Sequence, residues 1–302
     1  MREPIKLRRW LVVTFAIIAL AVVAGGIAVY AVRFTDERVV AFEDAKSCDL
    51  CDLSGAAIWW ASLGGARLDG ANLRQAGLWW SDLRGASIKE ADLEKANLWW
   101  TELQGANFTG SNLTKASLRH AVADGVVLKS ATLIDADLVE AIFVGADLAG
   151  ANLTWANMRQ SILTDAHLAG ANLSKANLFR ANFAQADLSG ANLTNVSATG
   201  ALFPNATFVG ADLSDGVFNG SDLSGADLTG ATAAKGQFPS ADLSGANLTG
   251  AHFIGAQLWK ANLTGANLTD ADFTDASMAE AILQGVKLCR TKLPTGVDNS
   301  GC

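Results

Sequence analysis

Cysteine, histidine and tryptophan are the side chains here with the most distinctive chemistry: 4 Cys, 3 His and 9 Trp in 302 residues. The cysteines fall into two pairs at opposite ends of the sequence, Cys48 with Cys51 and Cys289 with Cys302. An even count in an exported chain reads as disulfides. Joining Cys289 to Cys302 closes a loop of about 14 residues, worth ~3 kcal/mol in the loop-entropy model. Cys48 and Cys51 keep two readings, a second disulfide or two small buried side chains. His120, His167 and His252 share no motif. The sequence lacks a Gly-rich phosphate loop, a His-Glu-x-x-His helix and a nucleophile motif. We therefore expect no catalytic, cofactor or metal site, and no enzyme. The tryptophans are the strongest lead. Trp59-Trp60, Trp79-Trp80 and Trp99-Trp100 recur at an interval of twenty residues.

Side chains at such an interval must be set by a repeating backbone. Ala56-Ala-Ile58, Ala71-Asn-Leu73, Ala91-Asp-Leu93, Ala151-Asn-Leu153, Ala191-Asn-Leu193 and Ala246-Asn-Leu248 are one phrase. Apolar centres end in 3 or 8, and small residues, mostly Ala, end in 1 or 6. The register runs from about Cys48 to Leu293 without insertion or deletion, giving about 50 repeats. A period of five suits neither a helix nor a simple strand. It suits a chain that turns a corner every five residues, two side chains inward and three outward. The residue two after the centre is often Gly, as at Gly70, Gly105 and Gly245, which suits a turn with positive φ. Val126, Val196 and Val286 occupy Ala positions and should strain their coils or fill local gaps.

The phrase A-(N/D)-L-x-x resembles the pentapeptide-repeat family over about four-fifths of the chain. That resemblance implies an all-β solenoid, a right-handed quadrilateral β-helix with four pentapeptides in each coil. About 12 coils at ~4.8 Å each would make a rod ~60 Å long. Such a rod holds the two cysteine pairs far apart, which excludes a four-cysteine zinc site. The resemblance also implies a second possibility, because some members mimic B-form DNA and inhibit DNA gyrase. Between residues 181 and 286 about ten acidic residues face only Lys235 and Lys260. Against that reading, the resemblance implies a C-terminal dimerising helix that is missing here.

On this rod the six paired tryptophans form two adjacent columns on one outward face. Four readings stay open: a stabilising aromatic ladder, contact with lipid headgroups, a protein partner or self-association, and a platform for sugar rings. Arg119-His120 breaks the ladder one coil later. Asp222 and Asp242 should stack one above the other, mildly unfavourably.

Residues 11–32 are apolar apart from Thr14 and Tyr30, long enough for a membrane-spanning helix. Arg2, Lys6, Arg8 and Arg9 precede it, so residues 1–10 are expected in the cytoplasm and the remainder outside, in periplasm or lumen. Signal cleavage near Ala31 is the alternative, giving a secreted chain. Residues 33–47 read as a linker and capping helix, with Val39, Val40 and Phe42 over the first coil. Residues 48–288 form the repeat, and 289–302 a terminal loop. A basic-patch nucleic-acid binder is excluded by a net charge of -7. Disorder is excluded by 50% hydrophobic residues against 18% charged. The function expected is a non-enzymatic, membrane-anchored, extracytoplasmic scaffold. DNA mimicry and glycan binding are the alternatives.

Overall fold

The computed structural model describes residues 36–302. The span expected over 11–32 and the cleavage site near Ala31 lie outside the described residues. Among the described residues no helix is long and apolar enough to cross a membrane.

The rod is built from one local rule. In each pentapeptide the chain turns after the apolar centre, and the N–H three residues on donates back to the centre's carbonyl, as Ala56 N–H does to Leu53 C=O at 3.0 Å. The third residue of that turn is left-handed at every corner, whether Gly or not: φ is 63° at Gly55, 58° at Gln75 and 60° at Lys95. This is the geometry of a type II turn. Leu53 N–H donates to Asn72 C=O at 2.8 Å, and Asn72 N–H to Cys51 C=O at 2.8 Å, so each coil hydrogen-bonds to the next. Every fifth residue from Ser47 to Asp272 pairs in parallel with the residue twenty positions on. Four such columns define four sides, which fixes twenty residues per coil.

The small and apolar positions are buried along almost the whole rod and form one continuous core. Val196 fits because its neighbours shrink. The next centre is Ala198, and Gly216 lies one coil on, where a Cβ would sit only 3.3 Å from a Val196 methyl. Val126 is fully buried, and Val286 is half-buried in the last coil. No coil has a core of its own, so stability comes from neighbour contacts.

Helix α1, Glu37–Ala45, closes the N-terminal end, with Asp36 as its N-cap accepting from the Arg38 N–H at 3.0 Å. Val39 and Phe42, three apart on one face, are buried against the first coil. Val40, expected there too, is exposed because it lies on the neighbouring face of the helix. Cys48 and Cys51 are disulfide-bonded, their Cα atoms 5.3 Å apart.

The C-terminal end differs from the loop expected over 289–302. Strands β1, Thr291–Leu293, and β2, Gly296–Asp298, form an antiparallel hairpin. Lys292 still pairs with Asp272, so the repeat's hydrogen bonding runs past residue 288 into β1. The chain then turns back at Pro294-Thr295 into β2 instead of starting another repeat. Cys289 and Cys302 are disulfide-bonded across this hairpin, Cα atoms 4.7 Å apart.

Candidate interaction surface

The carboxylates that invite a catalytic or ion-binding reading have a structural task. The residue before the centre is often Asn or Asp because such a side chain caps the coming turn. Asp52 accepts from the Ser54 N–H at 3.0 Å, and Asp222 and Asp242 from Ser224 and Ser244 at 2.9 Å. Asn in the next coil then donates up the column, as Asn262 does to Asp242 at 3.0 Å. Asp222 and Asp242 pair directly, as their spacing requires. Of the ten acidic residues between 181 and 286, six (Asp187, Asp212, Asp222, Asp227, Asp242 and Asp272) cap turns. The other four, Asp215, Asp270, Asp275 and Glu280, occupy left-handed corners. Among the described residues no three His, Cys, Asp or Glu side chains group to hold a metal ion.

The tryptophans are not two uniform columns. Trp59 is only 2% exposed and Trp79 is half-buried. Their rings stack at 5.0 Å and 6°. The cause is visible two positions back along each coil. Gly77 leaves room for Trp79, whose indole nitrogen lies 3.3 Å from where a Cβ would stand. In the next coil Asn97 fills that space and accepts from the Trp99 N–H at 3.1 Å, and Trp99 is exposed. Arg119 then lies over the Trp99 ring at 5.8 Å.

The corner column is the exposed one. Trp60, Trp80 and Trp100 all occupy the left-handed turn position, φ 56°, 61° and 53°, and Trp80 is 51% exposed. Trp80 and Trp100 stack at 5.3 Å and 8°. His120 stacks on Trp100 at 4.4 Å, so the column continues where a break was expected. Its imidazole Nδ1 lies 3.4 Å from Glu140. His120 and Arg119 were both missed as members of the surface. Their signal was present, since each is twenty residues beyond a tryptophan. On the adjoining side Arg84 binds Asp82 at 2.7 Å and Glu102 at 3.2 Å, and its guanidinium holds the Asp82 carboxyl below the usual carboxylate range.

A left-handed backbone costs an L-residue roughly 1–2 kcal/mol, least for Gly, Asn and Asp. Tryptophan is a poor choice there for folding, and about half of each side chain stays exposed. Trp100 is covered on both faces by Trp80 and His120, whereas Trp60 is tilted 50° to Trp59 and 55° to Trp79.

Fold and surface together define a four-sided parallel β-solenoid with a turn every five residues and an aromatic corner near one end. The family model for pentapeptide repeats matches in 8 copies, over 51–89, 91–129, 127–165, 163–195, 191–230, 237–270 and 256–293. The chain belongs to the pentapeptide-repeat family. Among solved structures it is similar to HetL, a pentapeptide-repeat protein involved in heterocyst differentiation regulation from the cyanobacterium Nostoc sp. strain PCC 7120. Identity is 31% over 85% of this chain and 96% of HetL, with a TM-score of 0.30. It is also similar to QnrB1, a plasmid-mediated fluoroquinolone resistance protein, at 20% identity over 66% of this chain and 88% of that one, TM-score 0.34. A third is a pentapeptide-repeat protein from the Arabidopsis thaliana thylakoid lumen, 33% identical over 35% of this chain and 68% of its own, TM-score 0.17. No curated protein matches the chain.

Proposed function

We propose that this chain is a non-enzymatic, membrane-anchored rod outside the cytoplasm, and that it binds a protein through its tryptophan corner. The carrying observation is the placement of Trp60, Trp80 and Trp100, bulky rings held exposed at left-handed positions. An exposed aromatic patch with little part in the core marks an interface. Stacking of Trp100 between Trp80 and His120 closes both of its faces, which argues against sugar binding there. The turn-capping and corner roles of the acidic residues remove the need for DNA mimicry to explain them. The two disulfides support an oxidising compartment.

The test is the triple variant Trp60→Asn, Trp80→Asn, Trp100→Asn in the full chain. Asn195 and Asn205 already occupy this position at φ 58° and 56°, so the variant should fold. Crosslinking in the native envelope should lose its partner bands. Unchanged bands would refute the corner as the binding surface. A reporter fused after Cys302 should be active only outside the cytoplasm, with no free thiols before reduction. A cytoplasmic C-terminus with four free thiols would overturn the anchoring and make gyrase inhibition the next assay.

A further inference from the structure

One side of the rod abandons the repeat's own turn chemistry. Beginning one coil beyond Trp100, the capping column that holds Asp82 and Glu102 becomes Val122, Ile142 and Ile162, then Asn182 and Leu202. None of the four aliphatic residues can accept the N–H two positions on, as Asn182 does from Ala184 at 3.0 Å. Pro204, two after Leu202, lacks that N–H altogether. Ile162 is 37% exposed and Leu202 42%, and Val144 beside them is also exposed. At the same heights the other three sides keep mostly polar residues in this column, such as Asn152, Asn157 and His167. A stacked, in-register aliphatic row with no charge in it favours burial against a second apolar surface.

The two edges of this side carry opposite charge. On the edge where the chain enters, beyond Arg119, which lies over Trp99 and pairs with Asp137, the charged residues over these coils are Glu140, Arg159 and Arg180. Glu140 is paired with His120. The two guanidinium groups lie over the Phe179 ring, at 4.9 and 5.1 Å. On the edge where it leaves, the charges are Asp124 and Asp165. Arg159 and Asp165 flank Ile162 in the same pentapeptide turn pair, at one height along the rod.

A two-fold axis parallel to the rod sets the entering edge of one copy against the leaving edge of the other. Each Arg159 then meets the Asp165 of its mate, with the aliphatic rows between them. A two-fold axis perpendicular to the rod would instead set Arg159 against Arg159. We infer that the Val122–Leu202 side joins a second copy of this chain side by side, with both rods pointing the same way. This surface lies beyond the tryptophan corner and does not depend on its role. The row spans four coil steps, ~19 Å, so the interface is at the small end and the association is expected at about micromolar strength.

Light scattering on the full chain, in detergent, at tens of micromolar protein should give the mass of two chains. Ile162→Asn should give one chain while keeping or raising the melting temperature, because Asn restores the cap; this separates lost association from lost folding. Arg159→Asp should weaken association at least ten-fold, and the exchange Arg159→Asp with Asp165→Arg should restore it. A single-chain mass for the unaltered protein would overturn the inference, as would a dimer indifferent to Ile162→Asn. Tighter association of Arg159→Asp would overturn the parallel arrangement.

Discussion

The two halves of the rod use aromatic residues in opposite ways. From residue 59 to 120 the aromatic rings, Phe108 apart, sit at turn positions, and Trp60, Trp80, Trp99 and Trp100 are exposed. From 183 to 273 all but the exposed Trp259 sit at centres: Phe183, Phe203, Phe208, Phe218, Phe238, Phe253 and Phe273 are all fully buried. Both sets stack at the coil repeat, Phe218 on Phe238 at 5.0 Å and 3°, Trp80 on Trp100 at 5.3 Å and 8°. Stacking geometry therefore does not separate structure from function on this scaffold. The position within the five-residue phrase does. A ring at a position ending in 3 or 8 contributes burial. One at a position ending in 0 is only about half-buried and occupies a strained corner.

The largest effect expected follows from the inner set. Phe238→Ala should destabilise by roughly 3–5 kcal/mol, through lost burial and the cavity left behind. Trp80→Ala, on the outer set, should cost only about 1 kcal/mol, because it loses stacking on Trp100 at an exposed position while Ala keeps the Cβ that strains the corner. Thermal or chemical melts of the two variants measure the contrast, and equal losses would break it. Gly236 sharpens the point. A Cβ there would lie 2.7 Å from the Phe238 ring, so Gly236→Ala alone should cost about 1–3 kcal/mol. The pair Gly236→Ala with Phe238→Leu restores the ordinary Ala–Leu phrase and should recover most of that.

The two ends form a second contrast. Replacing Cys289 and Cys302 with Ala frees a hairpin that closes the rod and should cost ~3 kcal/mol. The Cys48–Cys51 link closes a far shorter loop and sits beside α1, whose Val39 and Phe42 already hold the end. Its removal should cost less. Hydrogen exchange resolved by segment distinguishes fraying at one end from global loss.

Acid should act on the same C-terminal end. The Thr274 hydroxyl and then Lys292 at 2.9 Å hold the Asp272 carboxyl down to about 2. A carboxylate with a lowered folded value stabilises fully above its ordinary value near 4. That contribution is lost as pH falls from about 4 to about 2. The hairpin should therefore detach before the middle coils in that window, and Asp272→Asn should flatten the response. Uniform loss along the rod would contradict it.

Most of this was legible in the spacing alone. The five-residue phrase gives the inward positions, and the tryptophan interval gives the coil length. What escaped depends on neighbours twenty residues away. Whether a tryptophan lies flat or stands out is decided by Gly77 in one coil and Asn97 in the next. Val196 reads as an irregularity until Ala198 and Gly216 are placed around it. The aliphatic row at Val122, Ile142, Ile162 and Leu202 is scattered in the sequence and becomes a surface only when the chain is folded into columns. The hairpin at the C-terminus leaves the period, so the period could not announce it.

The smallest effect tests the corner rule itself. Every corner is left-handed, yet only some carry Gly. Gly85 has φ 65° with open space around it, so Gly85→Ala meets no clash and isolates the backbone term. It should cost about 1 kcal/mol. Lys115 has φ 57° at an equivalent corner, and Lys115→Gly should gain a similar amount, less the entropy glycine adds to the unfolded chain. Opposite signs at two otherwise equivalent corners would show that the backbone sets the preference and that Trp60, Trp80 and Trp100 stand against it. Matching signs would return those tryptophans to the ordinary variation of the repeat and remove the strain argument for their role.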